Sequence, residues 1–159
     1  MVKRLEIALQ RNLPDPSGHG LMRKAKDYFG IEFSDVRTVN ILTMDLKLTD
    51  EQFESIRTGI FTNPITQVSS YSPLDVPFDW QIWVGYRPGV RDTAGSTAIE
   101  AIEDLLDIKI PEDEAVYTSK RYCFTGSNLT HEQMDTIAAK LLANDIIQEW
   151  KIISAKEWN

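Results

Sequence analysis

The side chains in this chain with the most reactive chemistry are Cys123, His19, His131 and the two aspartates Asp15 and Asp92. A cysteine becomes a nucleophile when a neighbouring base or cation holds it as thiolate. Cys123 lies in the apolar run Tyr122-Cys123-Phe124 with no histidine close in sequence, which reads as an inert buried thiol. His19 and His131 match no metal-ligand spacing. Asp15 and Asp92 occupy equivalent positions, and paired carboxylates can share acid and base roles. Each directly precedes a helical pattern, however, and helix capping explains both without chemistry. The turns closing at Gly18 and Gly95 suggest an anion at a helix N-terminus, with Arg11 near the first and Arg87 and Arg91 flanking the second. Neither turn carries a Walker-type loop or a dinucleotide-binding glycine fingerprint, so turn geometry is the simpler reading.

The residues left as candidate anion or partner contacts are Arg11, His19, Arg87, Arg91, Lys120 and Arg121. Of the four tryptophans, Trp80, Trp83 and Trp150 fall on strand patterns and are candidate interface aromatics, while Trp158 lies near the terminus. Trp80 and Trp83 fall on opposite faces of one strand, so at least one is off its own core face, and the tryptophans either fill the seam between the halves or meet an external partner.

The elements that must position these residues are written twice. Asp15, Gly18 and Ile31 recur as Asp92, Gly95 and Ile108, an offset of 77. Leu48-Thr49-Asp50-Glu51-Gln52-Phe53 recurs as Leu129-Thr130-His131-Glu132-Gln133-Met134, now offset by 81. Asn63, Ile65 and Gln67 return as Asn144, Ile146 and Gln148. A period of this length is the size of a small domain rather than of a solenoid repeat. It predicts two halves, 1–72 and 80–159, joined by a proline-bearing linker at 73–79. Each half alone would be a marginal folding unit, and fusion supplies its partner permanently.

Each half reads β-α-β-α-β. Leu5, Ile7 and Leu9, and likewise Ile82, Val84 and Tyr86, alternate as in half-buried strands. The first helix of each half carries an apolar stripe: Leu21, Met22, Ala25, Tyr28 and Phe29, then Ala98, Ile99, Ile102, Leu105 and Leu106. Glu100, Glu103, Asp104 and Asp107 make a solvated face opposite the second stripe. Strands are expected at 36–46 and 116–124, followed by helices whose Thr49/Gln52 and Thr130/Gln133 pairs are capping boxes. Last strands are expected from Ile65 and Ile146. Helices alternating with strands would also suit a parallel α/β sheet, but the crossovers of about 14 residues and the amphipathic strands favour α+β, with open, mainly antiparallel sheets bearing helices on one face and the halves related as a pseudo-two-fold dimer.

Composition narrows the partners. The chain has 159 residues, 42% hydrophobic and 26% charged, which is ordinary for a globular protein. Its net charge is −7, with 9 basic against 10 acidic residues in 1–78 and 8 against 14 in 79–159. An acidic chain without a basic stripe argues against nucleic acid and against anionic membrane surfaces. The apolar runs are too short for a membrane helix, no signal peptide is visible at the start, and one cysteine suits a reducing cytoplasm.

The D-P-x-G turn at Asp15-Pro16-Ser17-Gly18 and the run Leu141-Leu142-Ala143-Asn144-Asp145-Ile146-Ile147 resemble the PurS family. PurS is the small subunit of phosphoribosylformylglycinamidine synthase, a purine-pathway amidotransferase, and its members are about half this length and pair as dimers. A tandem copy is similar to the PurS-pair domain at the front of the long single-chain synthetases. The second copy departs from the pattern at Asp92-Thr93-Ala94-Gly95, which lacks the proline, and the first at Asn63-Pro64-Ile65. The resemblance implies a chain that is not catalytic alone and needs no cofactor. It would work within an ATP-dependent glutamine amidotransferase, bridging glutaminase and synthetase subunits and supporting ammonia transfer, with homo-oligomerisation left open. Two other classes compete with it. One is a small-molecule regulatory module taking an anionic ligand at the seam between halves. The other is a free-standing enzyme.

Overall fold

The computed structural model describes residues 2–158. The first half of the chain gives β1 (Val2–Leu9), α1 (Pro16–Phe29), β2 (Asp35–Asp45), α2 (Asp50–Ile56) and β3 (Gln67–Ser70). The second gives β4 (Trp80–Tyr86), α3 (Thr93–Leu106), β5 (Ala115–Thr125), α4 (His131–Ile137), β6 (Gln148–Ser154) and a terminal turn of helix, α5 (Ala155–Trp158). Both α2 and α4 run on into a π-helical turn, Arg57–Phe61 and Ala138–Leu142. The class is α+β, as expected from the amphipathic strands, and the strands form one open six-stranded sheet in the order β3-β1-β2-β5-β4-β6. β1 pairs antiparallel with β2 from Val2↔Asp45 to Ile7↔Asn40 and with β3 from Glu6↔Ser70 to Leu9↔Gln67. β4 pairs antiparallel with β6 from Trp80↔Ser154 to Tyr86↔Gln148.

Local signals place the helix ends. Asp15 and Asp92 have extended backbones and cap α1 and α3, with Pro16 pre-set for the first helical position of α1. Both capping boxes form: Gln52 N–H donates to Thr49 Oγ1 and Thr49 N–H to Gln52 Oε1, and Thr130 and Gln133 repeat the exchange. At its C-terminus α1 stops at Gly30, whose positive φ of 65° suits a residue without a Cβ. At the matching place α3 uses Asp107, held at φ 53°.

The compact units do not follow the division at residue 73; each draws on both sequence halves. The first comprises 1–13, 40–74 and 91–119. Its core joins Leu5, Ile7, Met44, Phe53 and Ile56 to Ala98, Ile102, Ile110 and Val116. The helix over β1 and the C-terminal end of β2 is thus α3, from the second sequence half, packed on α2 and its π turn. The second unit comprises 14–39, 75–90 and 120–159. There α1 packs on the π turn after α4, and Ala25, Ile31, Phe33 and Val36 join Ile82, Val84, Phe124, Met134 and Ile137.

The structure revises three expectations. The α1 stripe is narrower than its periodicity suggests: Ala25 is fully buried, but Tyr28 and Phe29 are exposed. Their core places go to Ile31 and Phe33, because the Gly30 turn brings the chain back beneath the helix end; Ile31 N–H donates to the Ala25 carbonyl. In α3, Leu105 is likewise exposed while Ala98 and Ile102 are buried. Glu103 is not on a solvated face, since its Oε2 accepts the Ile110 N–H at 2.8 Å and anchors the following loop. The last strands begin at Gln67 and Gln148 rather than at Ile65 and Ile146, because Asn63 and Asn144 first close a turn with their own side chains.

Candidate functional site

The repeated aspartates are structural clamps. Asp15, 2% exposed, accepts the Gly18 N–H on Oδ1 at 3.0 Å and the Thr38 N–H and hydroxyl on Oδ2 at 2.8 and 2.9 Å. Asp92 accepts from Gly95 at 2.9 Å and from the Thr118 N–H and hydroxyl at 2.6 and 2.9 Å. One carboxylate thereby ties a helix N-terminus to the next strand, and its oxygens are occupied by donors, which fits capping rather than proton transfer. The two glycines explain the tightness. A Cβ built on Gly18 would stand 1.9 Å from the Val36 carbonyl oxygen, and one on Gly95 2.1 Å from that of Val116. The strand fills the space in which a phosphate would lie, and the glycine N–H groups are spent on the aspartates.

Cys123 sits in β5 at 1% exposure beside Arg121, which is fully buried. Arg121 Nη1 donates to Gln81 Oε1 at 2.8 Å and to Cys123 Sγ at 3.3 Å, and its guanidinium carbon lies 5.7 Å from the Trp158 ring centroid. Arg121 is therefore an internal cation of the second unit and is withheld from any ligand arriving from solvent. Its neighbours in sequence, Tyr122 and Phe124, face the apolar core of that unit, so strand alternation turns residues 121 and 123 to the other face. Burial pushes the Tyr122 phenol up from its ordinary range. The sequence marks Arg121 only as a charged residue inside a strand pattern, which alternation normally leaves in water.

The other candidates separate. Arg87 Nε donates to the Asp145 carbonyl at 2.8 Å and so holds the turn before β6. Arg11 and Arg91 are exposed in turns, and Lys120 is half-buried in β5. Trp80 and Trp150 are half-buried against the core of the second unit, Trp80 with its ring edge-on to His131 at 5.9 Å. Trp83 is half-buried on β4. His19 lies on the exposed side of α1 and lines an open groove of about 430 Å³ with Met22, Arg23, Lys26, Glu32 and Phe33. Sequence reasoning singled out His19 but missed Arg23, Lys26 and Glu32. The available signal was the spacing of His19, Arg23 and Lys26, which places three nitrogen-bearing side chains along one edge of a helix.

A second exposed feature occurs once in each unit. Asn63 Oδ1 accepts the Ile65 N–H at 2.9 Å, and Gln67 Oε1 accepts the Asn63 N–H at 2.8 Å. Asn144, Ile146 and Gln148 repeat both bonds at 3.0 and 2.9 Å. These pinned turns present Ile65 and Ile146 to solvent at 81% and 79% exposure.

Fold and site together define an α+β open-sheet protein whose buried polar groups lock helices to strands, and whose exposed apolar and basic features sit on rigid turns and one helix. Residues 79–156, just under half of the chain, match the PurS family, described as phosphoribosylformylglycinamidine (FGAM) synthase. The matched segment is thus similar to that family. No curated protein matches the chain. No described helix is long and apolar enough to cross a membrane.

Proposed function

We propose that this chain is a non-catalytic assembly subunit or adaptor domain of FGAM synthase, acting in the cytoplasm. It bridges the glutaminase and the ATP-dependent synthetase components and supports passage of ammonia between them. The observation that carries this reading is the PurS match over 79–156. We further propose that residues 1–72 are a second, diverged PurS-like copy. Supporting this, the first half repeats the aspartate–threonine clamp, the capping box and the Asn–Gln turn of the matched half. In this reading the exposed Ile65 and Ile146 turns, with Trp83, are contact points for the larger components.

The test is reconstitution of separate glutaminase and synthetase chains with and without this chain, supplying nitrogen as glutamine or as ammonium. Glutamine-dependent amide transfer should need the chain; ammonium-dependent synthesis should need it much less, because free ammonia bypasses the route between active sites. Unchanged glutamine-dependent activity, with no complex by size-exclusion chromatography, would refute the adaptor reading.

A further inference from the structure

The charge on α1 is at odds with the rest of the molecule. The chain carries −7 overall, yet α1 holds Arg23, Lys24 and Lys26 against one acid, Asp27. Its counterpart α3 holds Glu100, Glu103 and Asp104 and no basic residue. Core packing does not account for the difference, since Arg23, Lys24 and Lys26 all face solvent.

Two of these cations border the groove that begins at His19. Its floor is apolar, made by the half-buried Met22 and by Phe33, whose ring lies 4.8 Å from that of Phe124. Its rim carries His19, Arg23 and Lys26. The acid within it is Glu32, 3.6 Å from Lys26 with both side chains largely in water. An exposed pair of this kind is weak and is readily exchanged for another carboxylate.

We propose that this groove is a docking site for an acidic, amphipathic segment of a partner protein. The segment seats an apolar side chain between Met22 and Phe33 and sets carboxylates against Arg23 and Lys26. Arg23 and Lys26 are three residues apart, roughly 4.5 Å along the helix axis. A small anion reaching both would leave the apolar floor of Met22 and Phe33 uncovered, whereas a peptide with an apolar side chain between its carboxylates covers it. In the bound state a partner carboxylate displaces Glu32 from Lys26. The inference goes beyond the FGAM synthase reading and does not depend on it, because it rests on the charge and shape of α1.

The experiment uses the full chain and three fluorescein-labelled 14-residue peptides. The first has glutamates and leucines at helical spacing, the second has the same composition scrambled, and the third has lysine for glutamate. Fluorescence anisotropy should show binding of the first, with weaker binding as salt rises, and at least tenfold weaker binding of the other two. The double variant Arg23→Glu/Lys26→Glu should lose at least tenfold in affinity, with an unchanged circular dichroism spectrum because both residues are exposed. Lys156→Glu, which alters an exposed cation outside the groove, should change nothing. Glu32→Gln should tighten binding severalfold by freeing Lys26, a result that damage to the fold would not produce. Equal binding of the scrambled peptide, or indifference to the double variant, would overturn the proposal. Full competition by millimolar inorganic phosphate would make the groove a small-anion site instead and overturn it as well. Loss of the reconstitution effect proposed for FGAM synthase would leave these peptide results unaltered, so the two readings fail separately.

Discussion

Substituting alanine for Gly18 tests the clamp that joins α1 to β2. The added Cβ would lie 1.9 Å from the Val36 oxygen and 2.8 Å from its carbonyl carbon, against a floor near 3.0 Å for real contacts. The helix end or the strand must then retreat by about 1 Å, and both are backbone inside a close-packed interior. A shift of that size lengthens the Asp15 bonds to Gly18 and Thr38, which now span 2.8–3.0 Å. Overpacking alone costs about 1–3 kcal/mol, and a weakened charge-assisted hydrogen bond adds about 1–2 kcal/mol. Against this, alanine gains at most about 1 kcal/mol of helix propensity over glycine. The expected net loss is therefore about 1–4 kcal/mol. Gly20, two residues further along the same helix, has no atom within 4 Å of its projected Cβ. Gly20→Ala should stabilise by about 0.5–1 kcal/mol, since only the propensity term remains. The assay is urea unfolding followed by circular dichroism, comparing midpoints at constant slope. Similar shifts for the two variants, in either direction, would refute the close-approach argument.

Three further outcomes follow from side chains in α3 and just after β3. Ile102→Ala, at a fully buried position, should cost about 2–5 kcal/mol in the same unfolding experiment. Glu103→Ala should cost about 1–2 kcal/mol through the orphaned Ile110 N–H, while the exposed Glu100→Ala stays within about 0.5 kcal/mol; equal effects for the two glutamates would remove the loop-anchoring role of Glu103. The Tyr71 phenol, which donates to the Phe53 carbonyl at 2.6 Å, is pushed up to about 12, mainly by burial and further by the Glu54 charge, with Arg57 opposing. The folded protein then keeps this proton while the unfolded chain loses it near 10, so stability is full below about pH 10 and falls as pH rises toward 12. Linkage sets a ceiling of about 2.7 kcal/mol, reduced to roughly 1 kcal/mol because the ring is only half-buried. Tyr71→Phe should flatten the stability profile between pH 10 and pH 12, and an unchanged slope would exclude Tyr71 as its source.

Whatever could be satisfied within a few residues was legible in the sequence. Asp15 and Asp92 cap helices and the Thr–Gln pairs form boxes, because each bond closes over three residues and is nearly independent of the rest of the chain. The Asn63 and Asn144 turns are equally local, but the apolar residues after them read as strand starts instead. The α+β class was legible for the same reason, since periodicity reports which face of an element is apolar. What that face meets is not local information. The stripes of α1 and α3 are alike, so the sequence fits helices that close on their own halves as well as it fits the arrangement found. Only the folded chain places α3 with β1 and α2, and α1 with β4 and β6. Burial of Arg121 likewise depends on Gln81, forty residues away in the chain, and on Trp158, which no short-range pattern links to it. The groove beside His19 arises because the Gly30 turn folds Phe33 beneath α1, and that closure needs the core offered by Phe124 and Met134. Hydrogen bonds that close over one turn are determined by neighbouring residues, whereas burial is determined by which surfaces remain to be covered once the whole chain has collapsed.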